Sequence, residues 1–442
     1  MSMPIRRFFV ASLLSLALTA ATGATANPLI VVDVKTGGVI EANEATVPWY
    51  PASLTKLMTT LVVLNAIKSG QVTPQTALTY SARAQAEPPS KMGFQVGQTV
   101  TIDDALKMLM VQSANDIAFL LAEGVSGSAE AFVAEMNRTA RQIGMTNTNF
   151  VNPNGLPVKP GPDLQHTTAR DMAVLAVTLL RTYPEYAQLF RIDAIAIGNR
   201  ILRNHNGLLG RYPEADGMKT GYTCSAGFNV VASATRGQRQ LVTVVLGAET
   251  PIRRSETAID AFERGFQATS ARTTLGALPN VTAAFTTDLR EQMCGKAAVK
   301  ARIARAKLSP DQHPWRDRLM AKTVVSPLQV YATAAPGEPK VAAQPSGVDE
   351  DAPAFAPTPD TAPAIAGQTV RPGSAKVRSL KASKTATTAK SKGAKTATKT
   401  GKTGRVKIDL KPSADASAAN GVQPVPGSIY RSATPADGKS AF

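Results

Sequence analysis

The chain has 442 residues, 43% of them hydrophobic and 5% aromatic, and a formal net charge of +17. Its length admits about two or three ordinary domains, and its two cysteines, Cys224 and Cys294, exclude a disulfide-built scaffold and a cysteine-rich metal site while leaving one bridge open. The positive charge gathers between Lys376 and Lys411, where Lys and Arg recur against Asp409 alone, so it marks one segment and not a nucleic-acid-binding domain.

At the N-terminus Arg6 and Arg7 precede an apolar run over residues 8–20, and Ala24-Thr25-Ala26 offers small residues for cleavage. The run falls short of the roughly 20 residues that a membrane span needs. The pattern is that of an export signal over residues 1–26 and predicts a mature chain starting near Asn27, outside the cytoplasm, in the periplasm or cell envelope. Residues 28–41, "PLIVVDVKTGGVIE", read as two strands around the turn Lys35-Thr36-Gly37-Gly38. Pro51 then opens a run over residues 53–69 in which Leu54, Leu57, Met58, Leu61, Val62, Leu64 and Ile67 leave no polar face, and Gly70 stops it. A helix apolar nearly all round belongs at the centre of a domain.

Thr101-Ile-Asp-Asp104 has the form of a capping box, with Asp in place of Glu, for a helix ending near Val111. Further helices are predicted at about 116–123, 129–143 and 169–181, the last with Thr167 and Thr168 as candidate N-caps. After Asp193, β-branched residues dominate in "AIAIGNRILRN", "FNVVASA" and "QLVTVVLGAE", and the turn Thr235-Arg-Gly-Gln238 makes the last two neighbours. A helix over about 252–267 follows. Strands at both ends with helices between them predict one α+β domain over residues 27–268, its antiparallel sheet gathering the termini against helices. Residues 269–332 read as a basic, partly helical extension without a clear core pattern. Residues 333–442, rich in Pro, Ala, Thr and Lys, are predicted to be disordered, because they cannot bury enough apolar area to offset chain entropy.

A serine hydroxyl becomes an effective nucleophile when a neighbouring base accepts its proton. In "PASLTKLM", Ser53 and Lys56 stand at i and i+3 at the start of a helix, on one face and within mutual reach. The first turn also offers backbone N–H groups that can donate to an oxyanion. To act as a base Lys56 must be neutral, which takes desolvation or a second cation close by. Alone, this short string could arise by chance. Two others give it weight: "VQSANDIA" sets Ser113 and Asn115 in a break between helices, and "DGMKTGYT" sets Lys219-Thr220-Gly221 ahead of a β-branched strand. Ser-x-x-Lys, a Ser-x-Asn element and Lys-Thr-Gly in this order mark penicillin-recognising serine enzymes.

On these motifs the chain resembles the low-molecular-mass penicillin-binding proteins of the D-alanyl-D-alanine carboxypeptidase family. The likeness continues through "FVNPNGL" (150–156), "HTTARDMA" (166–173) and "AGFNVVASA" (226–234). It implies a β-lactamase/DD-peptidase-like fold and a cofactor-free hydrolase acting on peptidoglycan stem peptides, with β-lactams as covalent inhibitors. By the resemblance, Ser53 would attack the carbonyl of the penultimate D-Ala, Lys56 would take its proton, and Ser113 would pass that proton to the leaving amine. Asn115 would hold the peptide amide, and Lys219 and Thr220 would bind the terminal carboxylate. Gly221 would let substrate approach the strand, and the Tyr222 N–H would complete an oxyanion hole with that of Ser53.

Other features carry blander readings. His166 and His205 lie in no triad motif; His205 reads as a turn or cleft residue and "HTTARD" as a helix cap, not a metal site. Lys35-Thr36-Gly37 repeats the third string within a hairpin turn, and Cys224 reads as a small packed residue. Ser-Ala-Asn in place of Ser-Asp-Asn, with no Glu-x-x-Leu-Asn element, favours a peptidase over a β-lactamase. The β-rich second domain and amphipathic anchor that the family often carries are not expected from residues 269–442. A DD-endopeptidase on the same site, or an inert wall-binding protein, are the alternatives, and the basic tail suits an anionic wall or membrane surface.

Overall fold

The computed structural model describes residues 27–157, 164–278, 288–301 and 314–333. The chain divides into two compact units, residues 1–365 and 366–442. Every described residue lies in the first, so the expected export signal and the tail beyond Thr333 fall outside the description.

The sequence hairpin forms as β1 (Leu29–Asp33) and β2 (Gly38–Asn43). A 3-10 turn, Ala52–Leu54, leads into α1 (Thr55–Lys68). A short pair, β3 (Ala77–Thr79) and β4 (Thr99–Thr101), brackets α2 (Ala82–Gln85). The helices α3 (Ile102–Val111), α4 (Asn115–Ser126), α5 (Ala129–Gln142) and α6 (Ala169–Thr182) follow. Thr101 caps α3 by accepting from the Asp104 N–H, and Thr168, not Thr167, caps α6 by accepting from Asp171. Next come β5 (Ala194–Ile197) and β6 (Arg200–Arg203), then β7 (Ala215–Thr223), β8 (Gly227–Arg236), β9 (Arg239–Ala248) and α7 (Pro251–Gln267).

The main sheet runs β10-β2-β1-β9-β8-β7, with β10 (Thr273–Thr274) at one edge and β7 at the other, and its pairs are antiparallel. Both faces are covered. Ile30, Val32, Val231 and Val244 face the core shared with α1, α4 and α6, whereas Leu29, Val31, Val230 and Val245 face Ala258, Ile259 and Phe262 of α7. Burial on both faces explains why these strands read as nearly continuous apolar runs rather than alternating ones. Helix α1 is buried from Thr55 through Leu64, as a helix apolar on most sides predicts, and Lys56, Thr59 and Thr60 are enclosed with its apolar residues.

The chain after residue 268 continues along this body. β10 extends the sheet, and α8 (Arg290–Cys294) buries Met293 beside Leu289 in the main core. Arg316, in a short helix Arg316–Met320, pairs with Glu256 of α7, and Trp315 meets Tyr212 edge-on at 5.2 Å. The chain then passes Arg211 and Arg203, whose guanidinium groups donate to the carbonyls of Ala321 and Thr323. It pairs β11 (Leu328–Gln329) with β5 in parallel, and ends with the Tyr331 N–H on Asp104 and the Thr333 N–H on Thr99. These contacts are irregular and widely spaced, which is why no period in the sequence announced them.

Two local expectations are corrected. Lys219-Thr220-Gly221 lies inside β7, not ahead of a strand; "FNVVASA" is its antiparallel neighbour, with Gly221 opposite Asn229. Cys224 is not merely a packed small residue: it forms a disulfide with Cys294, Cα to Cα 5.7 Å, which joins the end of β7 to α8.

Candidate active site

Ser53 sits in the 3-10 turn ahead of α1, a position with backbone strain just before it, since Ala52 has φ +48°. Two contacts hold that turn. Asn229 of β8 donates from Nδ2 to the Tyr50 carbonyl at 3.0 Å, and a Cβ on Gly155 (φ +85°) would lie 1.9 Å from the Ala52 oxygen, so only glycine fits there. A Cβ on Gly221 would come within 3.0 Å of the Ser53 nitrogen. The glycine of the third motif thus lets β7 lie directly against the serine turn, a closer reason for glycine than substrate approach alone.

Lys56 is fully buried and donates three hydrogen bonds, to Ser53 Oγ at 2.9 Å, Asn115 Oδ1 at 2.8 Å and the Asn154 carbonyl at 2.8 Å. Burial, then the positive charge of Lys219, holds its ammonium well below the ordinary lysine range, against a weaker opposite pull from Asp116 and Glu87. These are the two conditions for a neutral base beside the serine.

Ser113, in the gap between α3 and α4, adopts φ +58° and accepts a hydrogen bond from Lys219 Nζ at 2.9 Å. Asn115, the first residue of α4, is fixed by its N–H to the Ser90 carbonyl and its Nδ2 to the Pro88 carbonyl. Lys219 also donates to the Thr220 carbonyl, and burial followed by the charge of Arg254 brings its pKa down to about 7. Thr220 is buried and Tyr222 half-exposed at the end of β7, and alternation along the strand puts both on one face. The Tyr222 ring stacks on Phe228 at 4.2 Å between centroids. Hydrogen bonds and close packing thus bring Ser53, Lys56, Ser113, Asn115, Lys219 and Gly221 together, and Thr220 and Tyr222 flank Gly221 along β7.

Several residues that shape the cleft went unassigned. Asn154, within "FVNPNGL", accepts from Lys56 and donates from Nδ2 to Glu87. Arg254 is 4% exposed near the start of α7, donates to the His205 carbonyl and has its pKa lowered to about 10 by burial. It looked like one of many surface arginines, because nothing in its spacing shows that this end of the helix is buried. His205 has its pKa lowered to about 4 by burial and then by the charges of Lys219, Arg254 and Lys56, which favours the neutral imidazole. Lys219 and Arg254 together give the site a positive field suited to an anion. Among the described residues no group of His, Cys, Asp or Glu is placed to hold a metal ion.

A serine hydrogen-bonded to a desolvated lysine, facing a Ser-x-Asn turn and an edge strand bearing Lys-Thr-Gly, defines an acyl-transfer serine hydrolase. The family model for D-alanyl-D-alanine carboxypeptidases, Peptidase_S11, matches residues 17–250, and the chain belongs to that family. It is 34% identical over 281 residues to D-alanyl-D-alanine carboxypeptidase DacD of Salmonella typhimurium, covering 59% of this chain and 71% of that one. Curated relatives from enterobacteria and Haemophilus influenzae are matched over 58% to 71% of their own length. Among solved structures, penicillin-binding protein 5 of Haemophilus influenzae superposes with a TM-score of 0.52 at 35% identity, covering 55% of this chain and 71% of that one. The cefotaxime-bound form of penicillin-binding protein D2 from Listeria monocytogenes gives a TM-score of 0.50 at 29% identity, covering 55% and 97% respectively.

Proposed function

We propose that the protein is an exported serine DD-carboxypeptidase that removes the terminal D-alanine from peptidoglycan pentapeptides. The observation that carries this is the buried Lys56 nitrogen 2.9 Å from Ser53 Oγ, with Lys219 close enough to depress its pKa. Neutral Lys56 accepts the Ser53 proton as Oγ attacks the carbonyl of the penultimate D-Ala. The N–H groups of Ser53 and Tyr222 take the developing oxyanion. Lys219 and Thr220 hold the terminal carboxylate, with Arg254 adding positive field behind them, and Asn115 holds the peptide amide. Ser113 passes a proton to the leaving nitrogen, free D-Ala departs, and water then hydrolyses the acyl-enzyme. A β-lactam follows the same first step but keeps its leaving nitrogen tethered, so it labels Ser53; cefotaxime bound to the Listeria relative supports this reading.

We assign residues 1–26 as the export signal and residues 27–268 as the catalytic region, with residues 269–332 completing it. The basic tail, residues 333–442, holds the enzyme near anionic wall polymers or lipid. The deciding assay offers purified protein a pentapeptide ending in D-Ala-D-Ala and a cross-linked muropeptide dimer. Release of D-Ala from the pentapeptide supports the reading, cleavage of the dimer alone makes the enzyme an endopeptidase, and no cleavage of either overturns it.

A further inference from the structure

The two cysteines form a bridge that ends two residues beyond Tyr222, in the turn joining the edge strand β7 to β8. The Tyr222 hydroxyl lies 3.3 Å from Cys294 Sγ and 3.9 Å from Cys224 Sγ, so the ring sits between the bridge and Phe228. The bridge is also the covalent link to a docked element. The Leu289 N–H donates to the Ser225 carbonyl at 3.0 Å, and Leu289 and Met293 are 5% and 3% exposed in the main core. A Cβ on Gly227 would meet Leu289 at 3.1 Å, so this part of the chain packs directly on the β7–β8 turn. On the serine side the charges of Asp288 and Arg290 act on the hydroxyl of Tyr50, three residues before Ser53.

An edge strand is paired along one side only, so the backbone of β7 is held by β8 alone. Near that turn stands Tyr222, whose N–H must keep its place to within a fraction of an ångström, about 3 Å from the developing oxyanion. β8 restrains it from one side. The bridge, Leu289 and the Tyr222 ring restrain it from the other.

We infer that the Cys224–Cys294 disulfide is a positioning element of the active site, fixing Tyr222 and with it the oxyanion hole, so that turnover depends on the redox state of this one bridge. The inference rests on the carboxypeptidase reading above. Its consequence is that the dithiol form made in a reducing compartment is a poor hydrolase. Activity then arises when a disulfide-bearing oxidant in the oxidising envelope takes two electrons and two protons from the thiols and forms the S–S bond.

The test compares the oxidised protein with protein treated with a water-soluble phosphine, which converts the bridge to two thiols and itself becomes the phosphine oxide with oxygen from water. Steady-state cleavage of a D-Ala-D-Ala peptide, the rate of fluorescent-penicillin labelling, far-UV circular dichroism and Tm are measured on both. Reduction should lower kcat and the labelling rate about tenfold, with KM held within about twofold, because misplacing a donor acts on the transition state. Reoxidation should restore both rates, and Cys224→Ser/Cys294→Ser should match reduced protein and ignore the phosphine. Tyr222→Ala in the oxidised enzyme should lose kcat and leave little more for reduction to remove, since the two changes act through one group. A lower Tm with unchanged kcat would make the bridge purely structural and overturn the inference, as would additive losses in reduced Tyr222→Ala. If reduction unfolds the chain, Tyr222→Ala with its bridge intact decides, and unchanged kcat there overturns it. Oxidised wild type that neither cleaves nor labels refutes the assignment of activity itself, and this inference with it.

Discussion

Lys219 donates from Nζ to the Ser113 hydroxyl at 2.9 Å, joining residues 106 apart in sequence across the cleft. Lys56 is in turn hydrogen-bonded to Asn115, so the three motifs form a continuous polar network in which each lysine binds a side chain of the middle motif. Lys56, Ser113, Asn115 and Lys219 are buried, and low local dielectric strengthens their bonds and makes any unpaired member costly.

Removing one end of this network exposes its role in charge stabilisation. Lys219→Ala should lower turnover of carboxylate-bearing peptides by about 100-fold or more, the loss typical of a group that stabilises developing charge. Peptide amides lacking the terminal carboxylate should lose much less. Equal losses on both substrates would remove Lys219 from carboxylate recognition.

The two lysines also set a pH profile. Lys56 serves as base only when deprotonated, and burial beside Lys219 places that change well below the usual lysine range, so activity rises as pH rises through it. Lys219 must be positive to hold the carboxylate, and with a pKa of about 7 in the free enzyme it loses its charge as pH rises through neutrality. The profile of kcat/KM should therefore fall on the alkaline side from near neutrality, whereas that of kcat should fall later, because a bound carboxylate raises the lysine pKa. In Lys219→Arg the alkaline fall should move beyond the measurable range. A wild-type kcat/KM that keeps rising up to pH 10 contradicts the assignment.

Gly155→Ala tests the support of the serine turn. The residue would be strained at φ +85° and its Cβ would strike the Ala52 carbonyl, so stability should drop by about 3 kcal/mol or more. The check is chemical denaturation together with penicillin labelling, which should slow even where the variant is folded. Wild-type values in both would show that Ala52 yields freely.

The catalytic strings were legible because they are short, local and chemically unusual: Ser53 and Lys56 need one helical turn, and Lys219-Thr220-Gly221 one strand edge. Helix α1 and the sheet strands were legible for a different reason, since burial on most sides fills a long run with apolar residues. What stayed hidden depends on distant partners. The carbonyl of Asn154 carries no side-chain signal, Arg254 looks like any helix arginine, and the pairing of Cys224 with Cys294 is a matter of three-dimensional approach. The run from Trp315 to Thr333 binds mostly through backbone groups, which leave no pattern in side-chain type.

That run also fixes where the basic tail can be removed. A chain ending at Thr333 keeps the contacts to Arg203, Asp104 and Thr99, and should cleave a small soluble peptide as fast as the full mature chain. Only the full chain should be retained on isolated cell walls at low salt, and the retention should weaken at high salt, because such attraction is screened over about 8 Å at physiological ionic strength. Equal retention of both forms would discard the tethering role. A chain ending at residue 268 should be destabilised, having lost Leu289, Met293 and Val330 from the core.

The most direct test of the account is mass spectrometry of the purified protein after brief exposure to a penicillin. One acyl adduct of intact penicillin mass is expected on the peptide bearing Ser53, none in Ser53→Ala, and a much slower appearance in Lys56→Ala. An adduct that persists in Ser53→Ala, or that maps to another residue, would contradict it.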